Sequence, residues 1–271
     1  MPNILVNDLQ MYYEQLGNGE PIIFLHGNYS RGILTFASQI LDFQTRYTCY
    51  FPDLRGHGRT RCTSLEWNTP QLAEDISAFM EQFRLSQAHF IGYGLGAHVG
   101  LYLAVDFPIK VASLTTIGTS GFSDPVKEPA EGEWLFELGA RELIQQMTER
   151  HHEAHQGNCF EFMRQNAKNE RMYPQLTEDQ LSGISCPALF ISGEHDPFVG
   201  EEKLKRLCTL VRGSEALIVP GCSHRPHMLR ENPVLVNDTI LDFIASHPIR
   251  LSYPNPNNQS IRNFRWGHAK G

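Results

Sequence analysis

The sequence predicts an α/β fold in which a mostly parallel, eight-stranded sheet carries helices on both faces. Short apolar runs of strand length alternate with amphipathic runs of helix length, as in a parallel sheet covered by helices. A glycine-rich turn at 92–96 joins one such apolar run directly to a helical run. The 271 residues, 41% of them hydrophobic, are enough for one large domain with a sizeable core.

Eight runs are predicted as strands because each is short, apolar and bounded by turn residues. The first two form a leading pair, and the third is expected at the centre of the sheet. The predicted strands are Ile4–Val6, Met11–Gln15, Pro21–Leu25, Tyr47–Phe51, Ala88–Tyr93, Val111–Ile117, Ala188–Ser192 and Ala216–Val219.

Four segments are predicted as helices between and after these strands. Thr69–Phe83 has Thr69 at the expected cap position, Pro70 at the first helical position and apolar residues at helical spacing. The same reasoning predicts helices at Leu95–Asp106, Glu201–Val211 and Pro233–Ala245.

An interruption of the strand–helix alternation indicates an insertion. Residues 119–183 are rich in Glu, Gln, His and Met and lack strand-like runs. We expect them to form a helical lid over the carboxyl ends of the strands, where open α/β sheets bind ligands. Residues 1–118 and 184–248 then form the core, and 249–271 an irregular tail rich in Pro and Asn.

The apolar side chains of the insertion have three interpretations. They line a ligand cavity, they form the core of the lid, or they divide between these roles. If they line a cavity, an apolar or aromatic small molecule is favoured over a sugar or nucleotide. The residues concerned are Trp134, Phe136, Phe160, Phe162, Met163 and Met172.

Composition and charge limit which partners and which cellular compartment are expected. A net charge of −7 and a pI near 5.9, without a basic run, argue against nucleic acid or an anionic membrane as partner. The N-terminal stretch has no charged region followed by an apolar one, and no run is long enough to span a bilayer, so a cytoplasmic protein is expected. The oligomeric state stays open.

The six cysteines have no C-x-x-C spacing, so we expect free thiols and neither a zinc site nor a redox pair. No other pattern calls for a cofactor or metal.

Polar and glycine-rich landmarks follow successive strands: 26–28, 53–58, the 92–96 turn, then Asp196 and His224. Together these stretches resemble the α/β-hydrolase fold family, over roughly residues 10–247. "ISGEHDPF" resembles the turn that bears the family's acid, which implies Asp196. "VPGCSHRPHMLRENP" resembles the loop that bears its histidine, which implies His224, with His227 as the alternative.

The resemblance also implies how these groups act. Asp196 would orient His224, and the backbone amides of Asn28 and Leu95 would form an oxyanion hole. The departure is Gly94, which stands where the G-x-S-x-G pattern has its nucleophilic serine. Glycine relieves the backbone strain of this turn, and an oriented base beside an oxyanion hole remains.

Other candidates are interpreted as structural. By the same resemblance, Asp53 fixes a turn, and His57 is interpreted as structural in the same way. His151 and His155 lie one helical turn apart, beside His152 and Glu153, a spacing able to bind metal. A solvated polar helix face, or a fortuitous affinity for nickel or zinc, is preferred over a catalytic metal, since the pattern is not H-E-x-x-H.

Three residues could replace the missing nucleophile, because each lies on a loop expected to border the pocket: Ser30, Ser120 and Cys222.

Several functions fit this pattern. In the first, His224 activates a water that hydrolyses a small ester, thioester or activated carbonyl compound. In the second, His224 is the general base of a non-hydrolytic lyase, and in the third the chain only binds a ligand or acts as a receptor. Gly94 could also be a deliberate replacement of a natural serine.

Overall fold

The computed structural model describes residues 3–122 and 140–249 and contains the predicted sheet. Its strand order is β1-β2-β4-β3-β5-β6-β7-β8, with β2 antiparallel to β1 and β4 and all other neighbours parallel. The strands are β1 Asn3–Val6, β2 Leu9–Leu16, β3 Glu20–Leu25, β4 Tyr47–Pro52, β5 Ala88–Tyr93, β6 Val111–Ile117, β7 Ala188–Gly193 and β8 Glu215–Val219. The eight predicted strands agree with these to within a few residues at each end.

The predicted helices are present too. The helices are α1 Gly32–Thr35, α2 Ile40–Phe43, α3 Thr69–Gln82, α4 Leu95–Asp106, α5 Ala140–His155, α6 Cys159–Met172, α7 Glu178–Ser182, α8 Glu201–Leu210 and α9 Pro233–Ser246. Hydrophobic periodicity could not detect α1 and α2, because one turn is too short to show a period.

The predicted N-cap of α3 is wrong by one residue. Asn68, not Thr69, is the N-cap, and its side chain accepts a hydrogen bond from the backbone N–H of Gln71. Thr69 is instead the first helical residue, and its hydroxyl pairs with Asn169 of α6. Pro70 still lies in the first turn, where its missing N–H costs nothing.

Apolar side chains fill both faces of the sheet. On one face α3, α4 and α8 pack through residues such as Ile76, Val99 and Leu207. On the other face α2 and α9 pack through Phe43 and Ile240. This two-sided burial explains why the central parallel strands have apolar residues on both faces.

Helices α5, α6 and α7 lie between β6 and β7, in the interval predicted to be helical. Residues 123–139, with Trp134 and Phe136, and residues 250–271, nearly all of the predicted tail, lie outside the described residues. Within 3–122 and 140–249, every helix is too short or too polar to cross a membrane.

Candidate active site

The turn between β5 and α4 is centred on Gly94. Its backbone has φ +52° and ψ −114°, a conformation that residues with a Cβ adopt only under strain. Its N–H donates to the carbonyl of Ile117 at 3.0 Å, and its carbonyl accepts from His98 in the first turn of α4. The turn therefore keeps a sharp strand-to-helix geometry although it has no serine.

The neighbouring glycines are required by packing. A Cβ on Gly92 would lie 2.3 Å from the carbonyl oxygen of Gly96, and one on Gly96 would lie 1.9 Å from that of Leu25. At Gly94, by contrast, a Cβ would meet only the Cα of Gly27, at 3.8 Å. Position 94 therefore has room for a side chain, whereas positions 92 and 96 do not.

His224 and Asp196 are in contact, as the family resemblance implies. The Nδ1 of His224 lies 2.8 Å from Oδ2 of Asp196, whose side chain is fully buried while that of His224 is 24% exposed. The rings of Tyr93 and Phe198 lie 5.3 and 5.0 Å from the His224 ring. With Asp196 ionised, Nδ1 carries the proton and Nε2 keeps a lone pair.

Asp196 is held ionised by its hydrogen bonds. Burial alone would raise its pKa, but the bond to His224 and those from the backbone N–H groups of Phe198 and Val199 outweigh it. The net effect lowers the pKa of Asp196 below its ordinary value. The carboxylate can therefore stabilise a protonated His224 near neutral pH.

His227, the alternative histidine, lies elsewhere. Its ring is fully buried between Phe36 and Tyr93, and neither ring nitrogen has a hydrogen-bond partner. Burial and the charges of His224 and Arg225 lower the pKa of His227 to about 3. It does not contact Asp196, so the geometry favours a dyad made of His224 and Asp196.

The two expected oxyanion donors lie on the wall of one cavity. Asn28 follows β3, and Leu95 is the first residue of α4, where a backbone N–H has no acceptor within the helix. Neither backbone N–H donates to another described residue. Both amides are thus available to a ligand.

That cavity has a volume of about 780 Å³ and also contains His224 and Gly94. Helices α5 and α6 and the segment after them supply one wall, and the strand ends supply the other. Of the cavity's 23 lining residues, 11 are apolar or aromatic, and five are ionisable His, Arg or Glu residues. The apolar and aromatic members are Tyr29, Tyr93, Leu95, Phe122, Met147, Met163, Tyr173, Pro174, Phe198, Val199 and Met228, and the ionisable ones are His98, Arg150, Glu170, His224 and Arg225.

The insertion's apolar residues divide between the two predicted roles. Met163 lines the cavity, whereas Phe162 packs inside the insertion against His151. Phe160 and Met172 are 57% and 41% exposed, and neither lines this cavity.

Sequence reasoning missed four residues around the dyad. A Cβ on Gly118 would lie 2.8 Å from Cε1 of His224, so glycine lets the imidazole lie against the end of β6. His98 faces the cavity, and burial with the charge of His224 lowers its pKa to about 4. Arg150 and Glu170 come from α5 and α6. No single motif marks these positions, but the family turn places His98 one helical turn after Gly94.

The side chain of Glu170 faces the cavity and is otherwise surrounded by protein. Its Oε1 accepts a hydrogen bond from the side-chain amide of Asn28. Burial raises the pKa of Glu170, and the Asn28 bond and the charge of His224 offset only part of this.

Asp53 and His57 are buried and occupied by structural contacts. Asp53 accepts from the backbone of Gly32 and Arg59 and from the Arg59 guanidinium. His57 is fully buried, and burial and the charge of His26 lower its pKa to about 3.

The solvated-face interpretation of His151 and His155 is wrong. Both are buried, and His151 stacks on Phe162 at 4.2 Å and accepts a hydrogen bond from the N–H of Gly58. Helical periodicity failed because α5 is kinked at His151. Across residues 3–122 and 140–249, no group of His, Cys, Asp and Glu could hold a metal ion.

The replacement nucleophiles are not activated. Ser30 accepts a hydrogen bond from Thr35, and Ser120 donates to the Phe122 carbonyl, so neither pairs with a histidine. Cys222 is buried, does not line the cavity and has a raised pKa, chiefly because of burial. All six cysteines are free.

Comparison with known proteins agrees with this architecture. Residues 20–138 match the family model described as alpha/beta hydrolase fold. A probable alcohol acetyltransferase of Wickerhamomyces anomalus is 35% identical over 107 residues, which cover 39% of this chain but only 31% of that protein. The chain thus spans about a third of the length of that relative.

Two further relatives extend over most of the chain. A 2-hydroxy-6-oxononadienedioate/2-hydroxy-6-oxononatrienedioate hydrolase of Pseudomonas putida is 25% identical over 88% of this chain and 92% of its own length. The crystal structure of an enol-lactonase from Burkholderia xenovorans LB400 superposes with a TM-score of 0.72 and 19% identity, covering 90% of this chain and 100% of that one.

Proposed function

Because the chain belongs to the α/β-hydrolase fold family, we propose that it is an enzyme that acts on a small carbonyl compound without a serine nucleophile. The observation that carries this proposal is the 2.8 Å contact of Asp196 with His224, which lines a cavity that also contains Gly94. The substrate class comprises esters, thioesters and activated ketones.

The base is His224, and its nucleophile is water. The space that a Cβ at position 94 would enter is open, so a water can lie there beside the imidazole. The water oxygen bonds to the carbonyl carbon while its proton passes to Nε2 of His224. Asp196 stabilises the imidazolium that forms.

The developing oxyanion is held by the backbone amides of Asn28 and Leu95, which act independently of any side chain at position 94. The tetrahedral species then collapses. His224 returns its proton to the leaving group, and the acid product and the leaving group depart. No acyl-enzyme forms in this sequence.

Helices α5 and α6 act as the lid. Their contacts with the loop after β3, Arg150 to the Tyr29 carbonyl and Glu170 to Asn28, close the cavity over the dyad. Exclusion of bulk water strengthens the electrostatic contacts within.

The test is hydrolysis of p-nitrophenyl acetate by the unmodified protein, His224→Gln and His195→Gln. His195 is a matched control, since it adjoins Asp196 but is 68% exposed and does not line the cavity. We expect His224→Gln to lower kcat/KM by roughly 10²–10⁴, the usual contribution of a general base, and His195→Gln to leave it unchanged. Mass spectrometry of the quenched reaction should detect no acyl adduct.

Other outcomes separate the alternatives. Full activity in His224→Gln would remove the dyad from the mechanism. Tight binding of carbonyl compounds without turnover of esters or thioesters would support the receptor interpretation. Cleavage of a carbon–carbon bond dependent on His224, without ester hydrolysis, would support a lyase.

A further inference from the structure

Three arginines lie in or next to the cavity wall without acidic partners. Arg150 and Arg225 line the cavity, and Arg31 lies two residues after Tyr29, whose carbonyl accepts a hydrogen bond from Arg150. None of the three forms an ion pair with a carboxylate of the described residues, although the chain has 30 acidic and 23 basic residues. Arg55 and Arg59, by contrast, each contact two carboxylates.

Arg31 and Arg150 form the notable pair, because they place like charges together in a partly buried position. Nη1 of Arg150 donates to the Tyr29 carbonyl at 2.7 Å. Nε of Arg31 is buried and has no hydrogen-bond partner. Burial and the charge of Arg31 lower the pKa of Arg150. Two such guanidinium groups repel each other, and an anion between them relieves both costs.

The loop that carries Arg31 offers further donors. The Ser30 hydroxyl accepts from Thr35, so its own proton is available, and the Tyr29 hydroxyl is buried without a partner. Both residues line the cavity. Forked N–H groups with nearby hydroxyls match the two oxygens of a carboxylate.

Glu170 does not neutralise these arginines. It is the single carboxylate on the cavity wall within the described part of the chain, and its partner is the amide of Asn28. Its charge disfavours a second carboxylate beside Asn28, and so directs an acidic group of a ligand toward Arg31 and Arg150.

We propose that Arg31 and Arg150 form a subsite for a ligand carboxylate, which makes the substrate a carbonyl compound that also carries a carboxylate. The identity of the reacting group rests on the function proposed above, whereas the subsite itself is a statement about binding. Its test therefore combines a binding measurement with a kinetic one.

The binding probes are glutaramate and its uncharged analogue glutaramide, measured by isothermal titration calorimetry. The unmodified protein should bind glutaramate more tightly. Arg31→Gln should weaken glutaramate binding roughly tenfold to a hundredfold, the effect of losing a charged hydrogen-bond donor, and leave glutaramide unchanged. Arg150→Gln also loses the hydrogen bond to the Tyr29 carbonyl, so it should weaken the binding of both probes, with the larger loss for glutaramate. Arg171→Gln is the matched control, because Arg171 is exposed on α6 and does not line the cavity.

The kinetic probes are mono(4-nitrophenyl) glutarate and its methyl ester. Arg31→Gln should lower kcat/KM for the acidic ester by a similar factor and change that of the methyl ester by less than about threefold. Arg150→Gln also loses the hydrogen bond to the Tyr29 carbonyl that closes the cavity, so it should lower kcat/KM for both esters, and for the acidic ester at least about tenfold more. Thermal unfolding provides the structural check: Arg31→Gln removes one of two like charges and should not lower the Tm, whereas Arg150→Gln also loses its hydrogen bond to the Tyr29 carbonyl and should lower the Tm slightly.

The two proposals fail separately. A carboxylate preference lost in Arg150→Gln, without hydrolysis of either ester, would support the subsite and contradict the hydrolytic function. Hydrolysis of both esters with no preference for the acid, or a preference unchanged in both arginine variants, would overturn the subsite alone. If Arg150→Gln does not fold, Arg31→Gln supplies the same comparison.

Discussion

A serine introduced at position 94 perturbs the turn by an amount that can be estimated from the local geometry. The φ of +52° strains any L-residue by about 1–3 kcal/mol. An added Cβ meets no clash, because outside the neighbouring residues it would lie 3.8 Å from the nearest atom, the Cα of Gly27. Gly94→Ser should therefore lower the free energy of unfolding by about 1–3 kcal/mol, which a domain with about 5–15 kcal/mol tolerates.

Two variants separate strain from chemistry. Gly94→Ala carries the strain without a hydroxyl, so its stability should match that of Gly94→Ser in urea unfolding. Gly96→Ala should be far less stable, because its Cβ would lie 1.9 Å from the carbonyl oxygen of Leu25, which only a backbone shift relieves. Equal losses at 94 and 96 would refute this account of the turn.

The catalytic effect is measured by stopped-flow with p-nitrophenyl acetate. Sites that lack a triad member retain roughly 10³–10⁴ of rate over water, so the unmodified protein should be slow but measurable. Gly94→Ser should be faster and release an initial burst of p-nitrophenolate, since acylation then precedes a slower deacylation. Gly94→Ala should show neither effect.

One result refutes the reasoning. If Gly94→Ser is folded but gives no rate gain, no burst and no acyl adduct, His224 and Asp196 are not aligned with position 94. The ligand-binding interpretation would then replace the enzymatic one.

Three further predictions concern the dyad and its neighbours. Fluorophosphonate probes should not label the unmodified protein, and stoichiometric labelling of any serine by mass spectrometry would contradict a nucleophile-free site. Asp196→Asn should lower kcat/KM for p-nitrophenyl acetate at least tenfold, because the amide no longer stabilises protonated His224; an unchanged value would mean that Asp196 only braces its turn. Burial lowers the pKa of His227 from the ordinary 6.5 to about 3. Between these two pH values the unfolded chain binds a proton that the folded chain excludes, so the free energy of unfolding decreases as the pH falls. His227→Phe should reduce this loss of stability by about 1.4 kcal/mol per pH unit in urea unfolding and keep most activity. As a control, His195→Gln changes an exposed histidine and should leave the pH dependence of stability unchanged. If activity is lost in His227→Phe but kept in His224→Ala, Asp196 acts through His227 instead of His224.

The sheet was predictable because its signal is local. Each strand is a short apolar run between turn residues, and both faces of the central strands are buried, as β5 shows at every position. The short helices α1 and α2 could not be predicted, since one turn shows no periodicity. The cap at Asn68 was misassigned by one residue because both Asn and Thr cap helices well.

The dyad was predictable from family resemblance rather than from chemistry alone. His224 and Asp196 are 28 residues apart, and only the known chain order suggests that they meet. Arg150 and Glu170 were not predictable, because their importance arises where inserted helices contact the loop after β3. The burial of His151 was missed for a similar reason: the kink of α5 turns it against Phe162.

A crystal structure of the protein with 4-nitroacetanilide, the amide analogue of p-nitrophenyl acetate, tests the proposed site most directly. We expect the carbonyl oxygen about 2.7–3.2 Å from the backbone nitrogens of both Asn28 and Leu95. The carbonyl carbon should face the open space beside Gly94, with a water between it and Nε2 of His224. A ligand bound in the cavity with its carbonyl away from both amides, or a His224 ring turned from Asp196, would contradict the account.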